Sequence, residues 1–184
     1  TEIDSVKALE ANMDGFEVLP MKEACKIADF ICTVTGNKHV LREEHFKVIK
    51  DGCIISNSGH FDIEIDLVSL KKLSKKVTNA RPFNEEYELK DGRKIYVIAE
   101  GRLVNLGSAE GHPSSVMNMS FANQALGAEF IVKNYKTMGN DVHTLPEELD
   151  EEIASIKLKA LKISLDKLTS DQKKYMNSWE EGTN

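Results

Sequence analysis

The chain has 184 residues, enough for one domain, or one domain with an appendage, around a sizeable core. Its 41% hydrophobic and 29% charged content is that of a globular protein, and a net charge of -6 opposes unspecific attraction to nucleic acid or anionic lipid, both of which demand excess Lys and Arg. Cys25, Cys32 and Cys53 are odd in number and form no CxxC pair, which points to free thiols in a reducing compartment and away from a disulfide framework or a zinc site. No apolar stretch is long enough to span a bilayer and no signal peptide opens the chain, so a cytoplasmic location is expected.

The sequence opens on Thr1-Glu2-Ile3-Asp4 without methionine and passes straight into a helical pattern, as if begun in the middle of a fold. Val6, Leu9 and Met13 recur at helical spacing after Asp4-Ser5, a pair suited to a helix N-terminus. The short run Phe16-Glu17-Val18-Leu19 predicts a strand, and Pro20 opens a helix through Ala24 and Ile27. Phe30-Ile31-Cys32-Thr33-Val34 is strongly β-forming and stops at Thr35-Gly36-Asn37. A helix around residues 43–49 leads to the turn pair Asp51-Gly52 and a strand over residues 53–56.

After His60 the second half of a mixed segment, Leu67 to Leu70, predicts a short helix, whereas residues 77–89 are polar and weakly patterned. Asp91-Gly92 followed by Lys94-Ile95-Tyr96-Val97-Ile98 predicts a hairpin turn feeding a strand, and antiparallel edge strands commonly finish such sheets. Another buried apolar strand is expected within residues 99–107, ahead of the corner Gly111-His112-Pro113. From Ser114 strands disappear. Val116, Met119, Phe121, Ala125, Ala128 and Ile131 predict one long helix, and a further helix begins after Pro146 with acids first and lysines last. Thr169-Ser170-Asp171-Gln172 has the form of a capping box, which predicts a short final helix. Alternating apolar runs and amphipathic stretches predict an α/β fold with a Rossmann-like, mainly parallel sheet, followed by C-terminal helices.

Two corners carry the chemistry. Asn57-Ser58-Gly59-His60 follows one apolar run and Gly111-His112 follows another, which suggests a site at the strand ends, where ligands settle in such sheets. Glycine lets a ligand approach the backbone, and imidazole handles protons near neutral pH. His39, His45 and His143 take the plainer reading of satisfied or surface residues. Asn105 can donate and accept at once, which suits a carboxamide. Glu2, at the end of what would be a strand fragment, stands where a dinucleotide-binding fold places a ribose-binding acid; by position alone a surface glutamate is the plainer reading. Thr33, Thr35, Gly36 and Asn37 are read equally well as crevice-lining groups or as an ordinary turn. Met117 and Phe121 lie four apart and could wall an aromatic base; Met119 is helix core.

The segments Glu2-Ile3-Asp4, Thr33-Val34-Thr35-Gly36-Asn37, Gly59-His60-Phe61-Asp62-Ile63-Glu64-Ile65-Asp66, residues 99–107, Gly111-His112-Pro113-Ser114 and Ser120-Phe121-Ala122-Asn123-Gln124 together resemble the adenosylhomocysteinase family, the NAD-dependent S-adenosylhomocysteine hydrolases. The resemblance spans the chain in order and is closest to the C-terminal part of such an enzyme, beginning after the Gly-rich turn and first strand. It implies a partial NAD-binding domain over residues 1–111, a hinge and helix returning to the substrate domain over 112–144, and a C-terminal helical oligomerisation segment over 145–184 that completes a neighbouring subunit's cofactor site.

The resemblance further implies that Glu2, Thr33, Thr35, Asn37, Ser58, Gly59, His60, Asn105 and His112 contact NAD. It implies that His60, Leu103, Leu106, Gly111, His112, Met117 and Phe121 contact the substrate, and that His60 and His112 relay protons. The implied chemistry is temporary oxidation of the ribose 3′ carbon, which lets homocysteine leave the 5′ carbon before water adds and the hydride returns. Lys7 stands where mammalian-type members carry asparagine, and Ser58 where isoleucine is common. Glu110 replaces an apolar residue beside the base pocket, so S-inosylhomocysteine remains an alternative substrate. The end, from Trp179 to Asn184, lacks the Lys and Tyr tail of longer relatives and is similar to the archaeal and thermophilic-bacterial branch.

Implied partners are S-adenosylhomocysteine, adenosine, homocysteine, further copies of the chain and the N-terminal part of the enzyme; with that part absent, the isolated chain is expected to be inactive. Two other readings differ in their requirements. A D-2-hydroxyacid dehydrogenase-like protein needs a catalytic Arg and an acid-His pair that are not seen, and a catalytically silent NAD-binding interaction module is expected to lose His60, Asn105 or His112, all of which are present.

Overall fold

The computed structural model describes residues 1–179, which fall into two compact units divided between Gly111 and His112. Residues 180–184, the chain end that resembles the archaeal and thermophilic-bacterial branch, lie outside the described residues. In the first unit, helix α1 (Ser5–Met13) starts where Asp4 Oδ1 accepts the N–H groups of Val6 and Lys7 at 2.8 and 3.2 Å, satisfying two of the donors that a helix start leaves open. Helix α2 (Met21–Ile27) follows Pro20, strand β1 (Phe30–Thr33) follows Asp29, and helix α3 (Glu43–Phe46) leads to strand β2 (Ile54–Asn57). Helix α4 (Leu67–Leu73) runs directly into strand β3 (Ser74–Arg81), then come β4 (Asn84–Leu89), β5 (Lys94–Ile98) and the single-turn helix α5 (Val104–Gly107).

The five strands form one sheet in the order β1-β2-β5-β4-β3. β1 pairs with β2 and β2 with β5 in parallel, while β4 runs antiparallel to both β5 and β3, so β4 alone is reversed. This is the mainly parallel, Rossmann-like α/β sheet that the alternation predicts. Its core gathers Leu41, Phe46, Ile49, Ile55, Leu70, Ile95 and Val97, all buried, together with Cys25 and Cys53. Each such apolar side chain contributes roughly 1.5–3 kcal/mol when removed from water.

Residues 16–19 do not form the expected strand. A strand exists only with a ladder partner, and the sheet ends at β1, whose neighbour on the open side would have to supply one. Thr1 and Glu2 likewise belong to no strand, and Val6, Leu9 and Met13, the apolar stripe of α1, stay exposed. The weakly patterned stretch over residues 77–89 is instead part of the β3–β4 hairpin. Cross-strand charge pairs, Lys75–Glu88 at 2.8 Å and Lys94–Glu86 at 3.0 Å, take the place of an apolar alternation, and the first of them lies on the edge strand β3, where charge opposes aggregation. Residues 99–107 are not a strand either. The chain turns through Ala99–Gly101, three successive residues of positive φ, and then enters α5.

The second unit is helical. Helix α6 (Ser114–Asn134) begins after Pro113, and helix α7 (Glu147–Ala160) after Pro146, with Glu147, Glu148 and Asp150 in its first turn and Lys157 and Lys159 in its last, matching the helix dipole. The two pack together: Gly127 of α6 lies against Leu145, and Asn123 donates to Asp150. Ile163 falls beyond the end of α7. Helix α8 (Ser170–Met176) carries the expected capping box, in which Thr169 Oγ1 accepts from Gln172 N–H at 3.2 Å and Gln172 Oε1 from Thr169 N–H at 2.9 Å. Among the described residues, no helix is long and apolar enough to cross a membrane.

Candidate functional site

β1, β2 and β5 are parallel, so their C-terminal ends emerge on one edge of the sheet, and the loops that leave them are the ones to which sequence analysis assigned chemistry. Two fully buried polar side chains bind these loops together. Asn57, the last residue of β2, accepts the Gly59 N–H at 2.7 Å and the Thr33 hydroxyl at 3.1 Å through Oδ1. Its Nδ2 donates to the carbonyls of Phe61 and Gly101, both at 2.9 Å, and lies 3.4 Å from that of Gly59. Glu64 accepts from Thr35 N–H and Thr35 Oγ1 through Oε2, at 3.0 and 2.9 Å, and from Gly36 N–H through Oε1 at 2.6 Å. A buried carboxylate that receives three donors has its desolvation offset by charge-assisted hydrogen bonds.

Gly59 lies between these two groups. A Cβ there would sit 1.6 Å from Glu64 Oε1 and 3.0 Å from Asn57 Oδ1, so no side chain fits while the carboxylate holds its place. His60 follows at the exposed tip, its ring edge-on to Phe61 with centroids 4.2 Å apart. Opposite, Leu103 forms a parallel bridge to Asn57 and leads into α5. His60, Phe61 and Asp62 on one side and Arg102, Leu103 and Leu106 on the other line an open cavity of ≈ 520 Å³. On α5, Asn105 is half-buried, and its Oδ1 is wholly shielded from solvent yet has no hydrogen-bond partner. A shielded acceptor without a donor costs about 1–3 kcal/mol, which rotation of the side chain toward a ligand N–H recovers.

The first unit thus brings His60, Leu103 and Leu106 around one cavity, with Thr33, Ser58 and Gly59 in the loops behind it. Ser58 N–H donates to the Thr33 carbonyl at 2.7 Å, fixing the start of its loop. Thr35 Oγ1 is shared between Glu64 and the Asn37 N–H, and Asn37 Oδ1 accepts from Lys38 N–H, so Asn37 is set by its own turn and Thr35 by Glu64 as well. Gly111 adopts φ +77 beside Leu106. Glu2 is exposed and folds back on its own chain, accepting from Ile3 and Asp4 N–H at 2.7 and 3.0 Å; these backbone bonds, from Asp4 foremost, hold its carboxyl below the usual range. His112, Met117 and Phe121 belong to the second unit, where Met117 is half-buried and Phe121 exposed on the first turns of α6.

Sequence reasoning missed Asn57 and Glu64. An acid between two isoleucines in Ile63-Glu64-Ile65 was the available signal, since alternation would point it out to solvent, whereas a single 3-10 turn (Asp62–Glu64) brings it inside. Of the histidines set aside, His45 is buried and accepts the Arg42 N–H at Nδ1, 3.2 Å away, and burial pushes its pKa down. Among the described residues, no group of three His, Cys, Asp or Glu side chains could hold a metal ion.

Residues 1–111 match the family model described as S-adenosyl-L-homocysteine hydrolase, NAD binding domain. The chain is 58% identical over 183 residues to the adenosylhomocysteinase of Aquifex aeolicus, 58% to that of Thermosynechococcus vestitus and 52% to that of Saccharolobus solfataricus. Each alignment takes in 100% of this chain but only 43–44% of the relative, so the chain spans less than half the length of the curated proteins it matches.

Proposed function

The chain belongs to the S-adenosyl-L-homocysteine hydrolase family through its NAD-binding domain, and on that footing we propose that it is the C-terminal part of an enzyme that reversibly hydrolyses S-adenosylhomocysteine to adenosine and homocysteine. The observation that carries the reading is Asn105 Oδ1, a shielded acceptor without a partner, on the helix that follows the cavity-lining Leu103. A nicotinamide carboxamide offers the N–H that this oxygen lacks. NAD, when bound, supplies reversible hydride acceptance, chemistry beyond any side chain.

The chain's own residues bind and orient. Glu2, already ionised by its backbone donors, accepts ribose hydroxyls; Thr33, Thr35 and Asn37 line the crevice at the end of β1; Ser58 and Gly59 present backbone to the cofactor. His60 takes and returns a proton at its ring. His112, on the second unit, is assigned the other proton transfer; Leu103, Leu106 and Gly111 on the first unit, and Met117 and Phe121 on the second, are each assigned a contact with the substrate. Glu110 is exposed and leaves S-inosylhomocysteine as a second candidate substrate.

We place the enzyme in the cytoplasm, in the S-adenosylmethionine cycle of one-carbon metabolism, as a homotetramer. Exposed apolar residues of the helical unit, among them Val132, Leu161, Leu165 and Met176, favour association with further copies and with the N-terminal part of the enzyme. Residues 112–144 then return to the substrate domain and 145–184 serve oligomerisation, and the isolated chain has no hydrolase activity. The test replaces the matching segment of the Aquifex aeolicus enzyme by this chain. NAD retained through gel filtration and homocysteine released from S-adenosylhomocysteine support the reading; a folded, NAD-loaded chimera that turns over neither this substrate nor S-inosylhomocysteine removes it.

A further inference from the structure

We infer that Asn57 is the positioning residue that fixes His60 against the wall formed by Arg102, Leu103 and Leu106, and so sets where the nicotinamide end of the cofactor lies. The inference rests on the functional reading above but concerns a residue that touches neither cofactor nor substrate in that reading. Asn57 is fully buried, and both ends of its carboxamide are used, none of it in the sheet ladder. The assignment of oxygen and nitrogen follows from the partners: an N–H and a hydroxyl face one atom, three carbonyls the other.

Those partners lie on three segments whose backbones meet here through the Ser58 N–H to Thr33 carbonyl bond and the bridge between Asn57 and Leu103. Thr33 closes β1, Gly59 and Phe61 flank His60 on either side, and Gly101 ends the turn from which Leu103 and Asn105 depart. That turn needs a latch. Ala99 and Glu100 hold φ of +54 and +56, a region unfavourable to residues with a Cβ, and the Gly101 carbonyl is gripped by Asn57 alone among the described side chains. Among the described side chains, Asn57 alone hydrogen-bonds both to the His60 loop and to the turn that leads to Asn105. An apolar β-branched residue would serve the sheet at this position; only a side chain with a donor and an acceptor serves the loops.

Asn57→Asp in the chimera with the Aquifex aeolicus enzyme is the informative change, because it keeps the acceptor for Gly59 and turns an anionic oxygen toward three carbonyls. The expected result is a loss of NAD affinity of about tenfold or more with ADP-ribose affinity changed less than about twofold, since only the nicotinamide end feels the loops part. The reduced-nicotinamide signal that forms on substrate addition falls in parallel and recovers as pH is lowered, when the protonated carboxyl donates again. Should this variant unfold, Asn57→Ser, whose hydroxyl reaches Gly59 but not Phe61 and Gly101, gives the same comparison. Equal losses for NAD and ADP-ribose, or no loss for either, overturn the inference. An unsubstituted chimera that binds no NAD overturns the functional reading instead, and this inference with it.

Discussion

Replacing Gly59 by alanine tests the packing of the site most directly. The new Cβ would lie 1.6 Å from Glu64 Oε1 and 2.6 Å from its Cδ, so the carboxylate has to leave. It takes with it bonds to Thr35 N–H, Thr35 Oγ1 and Gly36 N–H, of which two are backbone donors. Hydrogen bonds to a charged group contribute about 1.5–3 kcal/mol each, and loss of two exceeds any gain from restricting the unfolded chain, about 0.4–1 kcal/mol. The expected destabilisation is about 3–5 kcal/mol. Glu64→Ala alone removes the same bonds but leaves two amides on an exposed turn that water can reach, for a cost of about 2–3 kcal/mol. In Gly59→Ala/Glu64→Ala the methyl occupies vacated space, so the double variant is about as stable as Glu64→Ala, a coupling of roughly 3–5 kcal/mol, equal to the whole cost of Gly59→Ala. Urea unfolding of the four proteins of the cycle measures it. Additivity within about 0.5 kcal/mol, or a Gly59→Ala cost below about 1 kcal/mol, refutes the reasoning.

Asn105→Ala removes a shielded oxygen that has no partner in the protein, a gain that offsets the lost packing of a half-buried side chain, so its urea midpoint does not fall below that of the parent while the preference for NAD over ADP-ribose, measured by calorimetry in the chimera, drops. The thiols separate by exposure: with Cys32 exposed, Cys25 and Cys53 buried and their pKa values pushed up to about 11 and about 12, a disulfide reagent at mildly alkaline pH titrates one thiol in the native chain and three after denaturation. Those raised values also set an alkaline limit. Stability is full below about pH 9, where unfolded and folded thiols are both protonated, and falls as pH rises toward 11, because only the unfolded chain ionises freely; Cys25→Ala/Cys53→Ala flattens that part of a stability–pH curve. His45 acts at the other end. Its lowered pKa means stability present above pH 6.5 and lost as pH falls through the folded value, and His45→Gln, which keeps an acceptor for Arg42 N–H, removes that share of the acid slope.

The linear chain determined what depends on near neighbours. Asp4 and the Thr169–Gln172 pair cap their helices because a short side chain three residues from an open N–H can reach it in any context. The apolar runs 30–34 and 94–98 became strands, and Asp91-Gly92 a turn, for similarly local reasons. Of the residues quoted at 57–60 and 103–106, His60, Leu103 and Leu106 line one cavity. What local reasoning could not give is whatever needs a distant partner. Residues 16–19 have strand composition and no ladder; residues 74–89 have little strand composition and two ladders, because charge pairs across the hairpin replace the apolar pattern. Asn57 and Glu64 look like ordinary polar residues in sequence. Only the parallel register of β1, β2 and β5, which delivers three loops to one edge, buries them and makes hydrogen bonding between those loops the cheapest way to satisfy a carboxamide and a carboxylate out of reach of water.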